Sequence, residues 1–189
     1  LYSGALAYDL GADEAVAEHA NRVHEVFRKH GVKTVITIDP HTTNMLRSVY
    51  PRVLPGYDVR VRSYLEVLAE KGLKAKTTLS GEVAFDHSCV FARSERVIEE
   101  PRELLQRAGV TVREPENTGR FTWCCGGPVE ALYPEKAVAN AQKRVAQLRE
   151  AAADGVTMCP MCFVNLAGAA GDAMRFKDIS HYLREAYAS

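Results

Sequence analysis

Short runs of β-branched and apolar residues alternate with longer stretches of helical periodicity along this chain. The five runs that the pattern predicts as strands are residues 32–38, 59–61, 82–85, 110–112 and 156–158. Strands that alternate with helices are typical of α/β proteins in which helices cover a mostly parallel sheet. We therefore expect a Rossmann-like α/β architecture.

Two long amphipathic helices are predicted, one over residues 13–30 and one over residues 134–153. Each places small and aliphatic residues on one face and is followed by a glycine, as helix ends often are. Shorter helices are expected over residues 101–108 and 180–187.

The two long helices resemble each other, which indicates an internal repeat. Ala15-Val16-Ala17 recurs as Ala137-Val138-Ala139 at an offset of 122 residues, and an offset of 120 carries residues 39–42 onto 159–162. We interpret the chain as two copies of one α/β unit. The first copy, residues 1–76, is incomplete and lacks cysteines, and the second spans residues 77–189. The alternative is that amphipathic helices use few residue types, so that such short matches arise without a repeat.

Composition narrows the class of protein. The sequence has 24 basic and 24 acidic side chains, so its formal net charge is zero, whereas nucleic-acid binders usually carry a basic excess. No apolar stretch reaches the roughly 18 residues that a membrane span needs, and no signal peptide is visible. We expect a cytoplasmic protein, attached to a membrane only through a partner or a segment upstream of Leu1.

Five cysteines lie in the second half of the chain, and their positions are grouped. Cys89 stands alone, Cys124 and Cys125 are adjacent, and Cys159 and Cys162 form a Cys-x-x-Cys pair. Cys89 and Cys159 follow predicted strands, so all five thiols are expected to converge at one sheet edge. An odd number without a secretion signal favours metal or redox chemistry. A zinc site with four ligands and one spectator, or simply buried thiols, are the alternatives.

These cysteines resemble those of a known family. Cys89 in FDHSCVFAR is followed after 34 residues by WCCGG and, 33 residues after Cys125, by MCPMC. This pattern is similar to the cysteine-rich CCG domain of the heterodisulfide reductase family of iron-sulfur oxidoreductases, as found in its B-type and D-type subunits. Similar domains occur in succinate, lactate, glycolate and glycerol-3-phosphate oxidoreductase systems. Residues 39–42 and Tyr50-Pro51 look like the corresponding part of a first CCG unit.

The resemblance implies an iron-sulfur site. Its ligands would be the five cysteines, Cys89, Cys124, Cys125, Cys159 and Cys162, holding a [4Fe-4S] cluster of the cubane or the unusual noncubane type, with zinc as the alternative. In the heterodisulfide reductases such a cluster cleaves a disulfide. Tyr2, Ser3, Asp39 and Thr42 of the first unit supply no thiolate, so one cluster is expected and not two.

The function implied is that of an iron-sulfur subunit or domain of a heterodisulfide-reductase-like oxidoreductase complex. It would transfer electrons, with or without thiol/disulfide chemistry. The alternatives are a non-catalytic relay to a quinone or flavoprotein partner and a structural zinc domain. Partners would be a flavoprotein, a ferredoxin-like subunit or a quinone-linked membrane subunit, since the chain has no glycine-rich nucleotide fingerprint. The sequence names no catalytic residue.

Several other residues near these motifs have two interpretations. His87 either donates a hydrogen bond to a cluster sulfur or satisfies a strand-end turn, and Trp123 either shields the cluster or belongs to the core. Arg93 is expected to be a solvated helix charge. His41 with Asp39 could bind a stray metal, although helix capping by Asp39 is the favoured role.

A locally basic stretch is a further candidate for contact with an acidic partner, and isolated surface charges are the alternative. Its arginines are Arg47, Arg52, Arg60 and Arg62.

Overall fold

The computed structural model describes residues 2–188. The helices are α1 (Ala5–Asp9), α2 (Asp13–Lys29), α3 (Pro40–Asn44), α4 (Tyr50–Val53), α5 (Tyr64–Glu70), α6 (Glu99–Arg107), α7 (Pro134–Ala151), α8 (Pro160–Ala170) and α9 (Ile179–Leu183). The strands are β1 (Thr34–Thr37), β2 (Arg60–Ser63), β3 (Glu82–Asp86), β4 (Thr111–Arg113), β5 (Asp154–Thr157) and β6 (Arg175–Asp178). Single π-helical turns span Met45–Val49, Val90–Glu95 and Arg184–Ala188, and 3-10 turns span Gly119–Phe121, Gly127–Val129 and Gly171–Ala173.

The strands form two parallel sheets. The larger sheet has the order β4-β3-β5-β6, and the smaller one pairs β1 with β2. In the larger sheet Ala84 is opposite Gly155 and Thr157 is opposite Asp178, and every pairing is parallel. The predicted α/β class with mostly parallel sheets is confirmed.

All five predicted strands are present, and the sequence missed one. Strand β6, with the sequence RFKD, alternates charged residues with Phe176 and has no β-branched residue. The Phe176 ring packs against Gly155 of β5, where a Cβ atom would lie 2.4 Å from a ring carbon. An edge strand of this composition is stabilised by its neighbour and carries little local signal.

The predicted long helices are also present. Helix α2 ends at Lys29, before Gly31 with its φ of +64°, and it buries Val16, Ala20 and Val23. Helix α7 begins at Pro134 and buries its predicted stripe, Ala137, Ala141, Val145 and Leu148. The two helices that suggested a repeat each pack in a core with strand residues of a parallel sheet, while the repeat itself stays a prediction.

Alternate residues of β3 point to opposite faces of the larger sheet. Val83 and Phe85 enter a core with residues of α5, α6 and α9, whereas Ala84 faces a second core with residues of α7 and α8. A third core lies in the first part of the chain, under α2 and the turn Met45–Val49. The division into units 1–76 and 77–189 remains a proposal; Leu65 of α5 packs in the core of the larger sheet.

Glu95 connects the two sheets' helical layers. Its Oε1 atom accepts hydrogen bonds from Asn44 Nδ2 at 2.7 Å and from Ser48 Oγ at 2.8 Å, and Arg47 lies 3.7 Å from Oε2. This buried carboxylate holds α3 and the turn after it against the segment that follows Cys89. Among residues 2–188, no helix has the length and apolarity that crossing a bilayer requires.

Candidate metal centre

The cysteines lie at the carboxyl edge of the larger sheet. Cys89 precedes the turn Val90–Glu95 after β3, and Cys159 is the N-cap residue of α8 after β5. Cys162 lies in the first turn of α8, and Cys124 and Cys125 lie in the loop before Gly126. Because β3 and β5 are adjacent and parallel, their ends bring these segments together.

The five thiols form one continuous series. The Sγ atoms of Cys89 and Cys124 are 3.9 Å apart. Side-chain hydrogen bonds then link Cys124 to Cys125, Cys125 to Cys162, and Cys162 to Cys159. The structure therefore brings together every cysteine that the sequence singled out, while their role as ligands stays a prediction.

These contacts separate the thiols into two kinds. The hydrogen bond from Cys124 lowers the pKa of Cys125 to about 5, and the hydrogen bond from Cys162 lowers the pKa of Cys159 to about 5. The pKa values of Cys89, Cys124 and Cys162 are raised, first by their hydrogen bonds to neighbouring cysteines and then by burial. Thiolates thus stand beside thiols that donate to them, and the thiolate is the form that binds metals.

The donor set fits several metal ions better than one. A structural zinc ion takes four ligands in a tetrahedron. Five sulfurs in series can instead serve different irons of one cluster.

Two glycines shape the loop that carries the adjacent cysteines. Gly126 has a φ of +87°, and its N–H donates to Cys124 Sγ at 3.3 Å. A Cβ atom on Gly126 would lie 2.5 Å from the Ala137 carbonyl oxygen, and one on Gly127 would lie 2.2 Å from Met161 Sδ. The loop therefore packs against the α7 backbone because Gly126 lacks a side chain, whereas at Gly127 the flexible Met161 side chain would have to move.

A buried polar network behind the thiols was not anticipated from the sequence. Arg144 of α7 donates from Nε to Asp86 Oδ1 at 2.8 Å and from Nη2 to Thr122 Oγ1 at 3.0 Å. Thr157 Oγ1 lies 3.1 Å from Asp86 Oδ2, and Thr122 Oγ1 donates to the His87 carbonyl at 3.0 Å. The network joins the ends of β3 and β5 to the loop of Cys124.

His41 reaches the site from the first part of the chain. A hydrogen bond with Cys159 is the largest cause of the raised pKa of His41. Asp39 caps α3 as expected, because its Oδ1 accepts from the Thr42 N–H at 2.8 Å. The repeat, which lays residues 39–42 over 159–162, was the signal that could have placed His41 near Cys159.

His87 does not contact the thiols. Its Nε2 lies 3.2 Å from Glu114 Oε2, and its ring meets Phe85 edge to face at 4.4 Å. Its Nδ1 is buried without a hydrogen-bond partner among the described residues. His87 thus lies at the end of β3, as the strand-end interpretation expects. Within residues 2–188, its ring donates no hydrogen bond to a cysteine sulfur.

Trp123 lies at the surface and not in the core. It is 46% exposed and lines an open cavity of about 500 Å³ next to Cys124. Arg93, expected to be a solvated charge, is exposed, but its Nη1 also donates to the Thr122 carbonyl at 3.3 Å. It lies close enough to Cys89 for a side-chain hydrogen bond.

Two of the four arginines of the locally basic stretch form ion pairs within the chain. Arg47 pairs with Glu66 and Glu95, and Arg62 pairs with Glu70. Arg52 and Arg60 are exposed and form no ion pair among residues 2–188, so half of the stretch stays available to an acidic partner.

Comparison with known proteins agrees with the cysteine pattern. Residues 83–167 match the family described as CCG, a cysteine-rich domain. This part of the chain is a CCG-type cysteine-rich domain. The resemblance inferred from the cysteine spacing is therefore confirmed, and the matched range contains all five cysteines.

Relatives of the whole chain are named as redox proteins. The chain is 30% identical over 185 residues to the probable iron-sulfur-binding oxidoreductase FadF of Bacillus subtilis, covering 93% of this chain and 25% of the relative. It is 31% identical over 157 residues to EtfAB:quinone oxidoreductase of Syntrophomonas wolfei, covering 76% and 22%. It is 27% identical over 164 residues to one subunit of the dihydromethanophenazine:CoB--CoM heterodisulfide reductase of Methanosarcina barkeri, covering 82% and 40%. The chain thus spans about a quarter of the length of the first two relatives.

Proposed function

We propose that this protein is an iron-sulfur module of an oxidoreductase complex. Its ligands would be Cys89, Cys124, Cys125, Cys159 and Cys162, holding one [4Fe-4S] cluster. The observation that carries the proposal is the continuous series of five thiols at one sheet edge within a CCG domain. The names of the iron-sulfur and quinone-linked relatives support it.

The residues of the chain would hold and tune the group. A cluster bound here would supply single-electron transfer. Burial of Cys125, Cys159 and Cys162 keeps water from three of the sulfurs. Hydrogen bonds to Cys124 from the Gly126 N–H and to Cys159 from His41 stabilise negative charge on sulfur, and such bonds raise the reduction potential of a cluster.

The module would act with other redox subunits. A flavoprotein, a ferredoxin-like subunit or a quinone-linked membrane subunit would supply or receive its electrons. The first unit, with Tyr2, Ser3, Asp39 and Thr42 where a second set of cysteines would stand, supports one cluster per chain. A cytoplasmic location, with any attachment to a membrane made through a partner, belongs to the same proposal.

Direct disulfide reduction at this site is a second candidate function. The cavity beside Cys124, which Arg93, Arg120 and Lys143 line, favours it because a charged disulfide needs room and cations near the metal. The reaction adds two electrons and two protons to a disulfide and releases two thiols. The electrons would come one at a time from a partner subunit.

Metal analysis after anaerobic reconstitution tests the proposal. The chain is offered iron, sulfide and zinc together, and we expect about four irons and almost no zinc per chain, with a cluster signal in electron paramagnetic resonance. One zinc per chain without iron would overturn the proposal. Addition of a small disulfide to the loaded protein tests the second function, since disulfide chemistry at the metal changes the signal and a pure relay leaves it unchanged.

A further inference from the structure

One surface of the protein combines exposed aromatic rings with free positive charge. We call it the Trp123 face and define it by five residues, Arg93, Arg120, Phe121, Trp123 and Lys143. They line the open cavity of about 500 Å³ that also contains Cys124. The face brings together the loop before Cys124, the turn after Cys89 and the outer side of α7.

The aromatic residues of this face are unusually open to solvent. Phe121 is 81% exposed and Trp123 is 46% exposed. Single exposed apolar residues are common, but adjacent large ones that lie among polar groups mark binding surfaces. Tryptophan, phenylalanine and arginine are also enriched at the centres of protein interfaces.

The positive charges of the face are not neutralised within the chain. Arg93, Arg120 and Lys143 form no ion pair among the described residues, and no acidic side chain of residues 2–188 lines the cavity. In the basic stretch near β2, by comparison, two of the four arginines, Arg47 and Arg62, are paired with glutamates. Arg120 and Lys143 have no ion pair among residues 2–188, and Arg93 contacts only Cys89 and the Thr122 carbonyl among the contacts described above. An acidic surface would complement this local positive charge around the two exposed rings.

The Trp123 face is also where the thiols come nearest to solvent. Cys89 and Cys124 are half-buried, whereas Cys125, Cys159 and Cys162 are buried. Electron exchange between proteins needs a short path between their redox groups. Cys124 lines the cavity of this face, so an open path leads there from solvent to the cysteine cluster.

Resting on the proposed function, we propose that the Trp123 face is the docking surface for an acidic face of the electron-exchange partner protein. Complementary charge would steer the two proteins together, and the aromatic rings would supply the apolar contact. A protein suits this surface better than a small molecule does. Ligand pockets bury 70–90% of their ligand, whereas this cavity is open and Phe121 projects from its edge.

Binding to an acidic redox protein tests the inference without needing the cluster. The probe is immobilised flavodoxin, and binding of the full chain is followed by biolayer interferometry at low and high salt, with and without iron. Wild type should bind at low salt and weaken as salt rises. Arg120→Glu combined with Lys143→Glu should weaken binding about tenfold or more. Lys74→Glu, the same charge reversal at an exposed lysine outside the cavity, should stay within about twofold.

A second pair of variants tests the contribution of the aromatic residues to binding. Phe121→Ala should weaken flavodoxin binding by about fivefold, whereas Leu132→Ala, which truncates a residue that is 60% exposed elsewhere, should have little effect. In the iron-loaded chain, reduction by flavodoxin hydroquinone should slow in the same order. Circular dichroism confirms that the variants are folded.

The outcomes separate this inference from the proposed function. Failure to incorporate iron rejects the proposed function, while salt-sensitive binding through the Trp123 face would still support docking. The docking inference is overturned if wild type shows no salt-sensitive binding, or if the charge-reversed variant binds as wild type does. Binding of a small anionic disulfide in the cavity, with flavodoxin binding unchanged by charge reversal, would assign the cavity to a small molecule and also overturn it.

Discussion

Arg144 Nε donates to Asp86 Oδ1 at 2.8 Å although the two residues are 58 positions apart, and both side chains are completely shielded from solvent. Asp86 ends β3, three residues before Cys89, and Arg144 lies in the middle of α7. Burial raises the pKa of Asp86, while Arg144 opposes that shift. The pair therefore stabilises the sheet edge on which the thiols depend, and each partner compensates the charge of the other.

Loss of one partner should be costly. Arg144→Met should lower the free energy of unfolding by about 3–5 kcal/mol, because it leaves a buried carboxylate without its cation. The double variant Asp86→Leu/Arg144→Met should be more stable than the sum of the single losses predicts. Urea unfolding measures both. As a control, Arg175→Met at an exposed ion pair should cost no more than about 1 kcal/mol. Equal losses at Arg144 and Arg175 would contradict the argument.

The stability of the protein should depend on pH through Glu114. Burial raises its pKa, but hydrogen bonds from His87, Thr118 and Arg102 outweigh burial and hold the pKa at about 2. A lowered pKa stabilises the fold above the ordinary value for glutamate, and the stabilisation disappears as the pH falls towards 2.

Glu114→Gln tests this dependence. Because Glu114 is partly exposed and solvent screens its contacts, the variant should be less stable than wild type by about 0.5–1.5 kcal/mol at neutral pH, and the difference should shrink as the pH falls below about 5. Urea unfolding at several pH values, from neutral pH to below about 5, measures this difference in stability. Glu116→Gln, at a neighbouring exposed glutamate, should change stability by less than about 0.5 kcal/mol. A difference that stays constant with pH would reject this role of Glu114.

The five cysteines should differ from the residues of the first unit in metal binding. Ala substitution of any one of Cys89, Cys124, Cys125, Cys159 and Cys162 should remove or convert the cluster, because a thiolate ligand is lost. Ser3→Ala and Thr42→Ala should leave the iron content unchanged. Iron and sulfide analysis with electron paramagnetic resonance distinguishes these results. Full iron content in a Cys89→Ala protein would reduce the site to four ligands.

Gly126 should tolerate alanine less well than Gly31 does. Both have positive φ, but a Cβ on Gly31 would meet nothing within 4 Å, whereas one on Gly126 would approach Ala137 backbone atoms to 2.5 Å. Gly31→Ala should cost about 1–2 kcal/mol from backbone strain alone. Gly126→Ala should cost about 1–3 kcal/mol more, because of overpacking. Thermal or urea unfolding compares them, and equal losses would contradict close packing of this loop.

His41 should influence the redox properties of the site without being a ligand. Because its hydrogen bond stabilises negative charge on Cys159, His41→Ala should lower the midpoint potential while the iron content stays unchanged. A redox titration followed by electron paramagnetic resonance measures the shift, and His41→Gln should recover part of it. Loss of iron in His41→Ala would instead indicate a structural or ligand role.

Local patterns were sufficient to predict much of the fold. The stripe of α7 and the termini at Pro134 and Lys29 follow from periodicity and from helix-end residues, which act over a few positions. Strand β6 was missed because RFKD has no strand-forming pattern of its own and relies on Gly155 next to it. The cysteine spacing alone was enough to identify the CCG family.

Sequence by itself determined which residue types are available to this protein: five thiols in three groups, two glycines after Cys125, and a parallel α/β framework that brings strand ends to one edge. The tertiary structure decided which groups meet. The pairing of Arg144 with Asp86, the contact of His41 with Cys159 and the exposure of Trp123 depend on segments that are remote in the chain. Local patterns act over a few residues, whereas burial and electrostatic contacts depend on distance in space, so only the folded chain shows them.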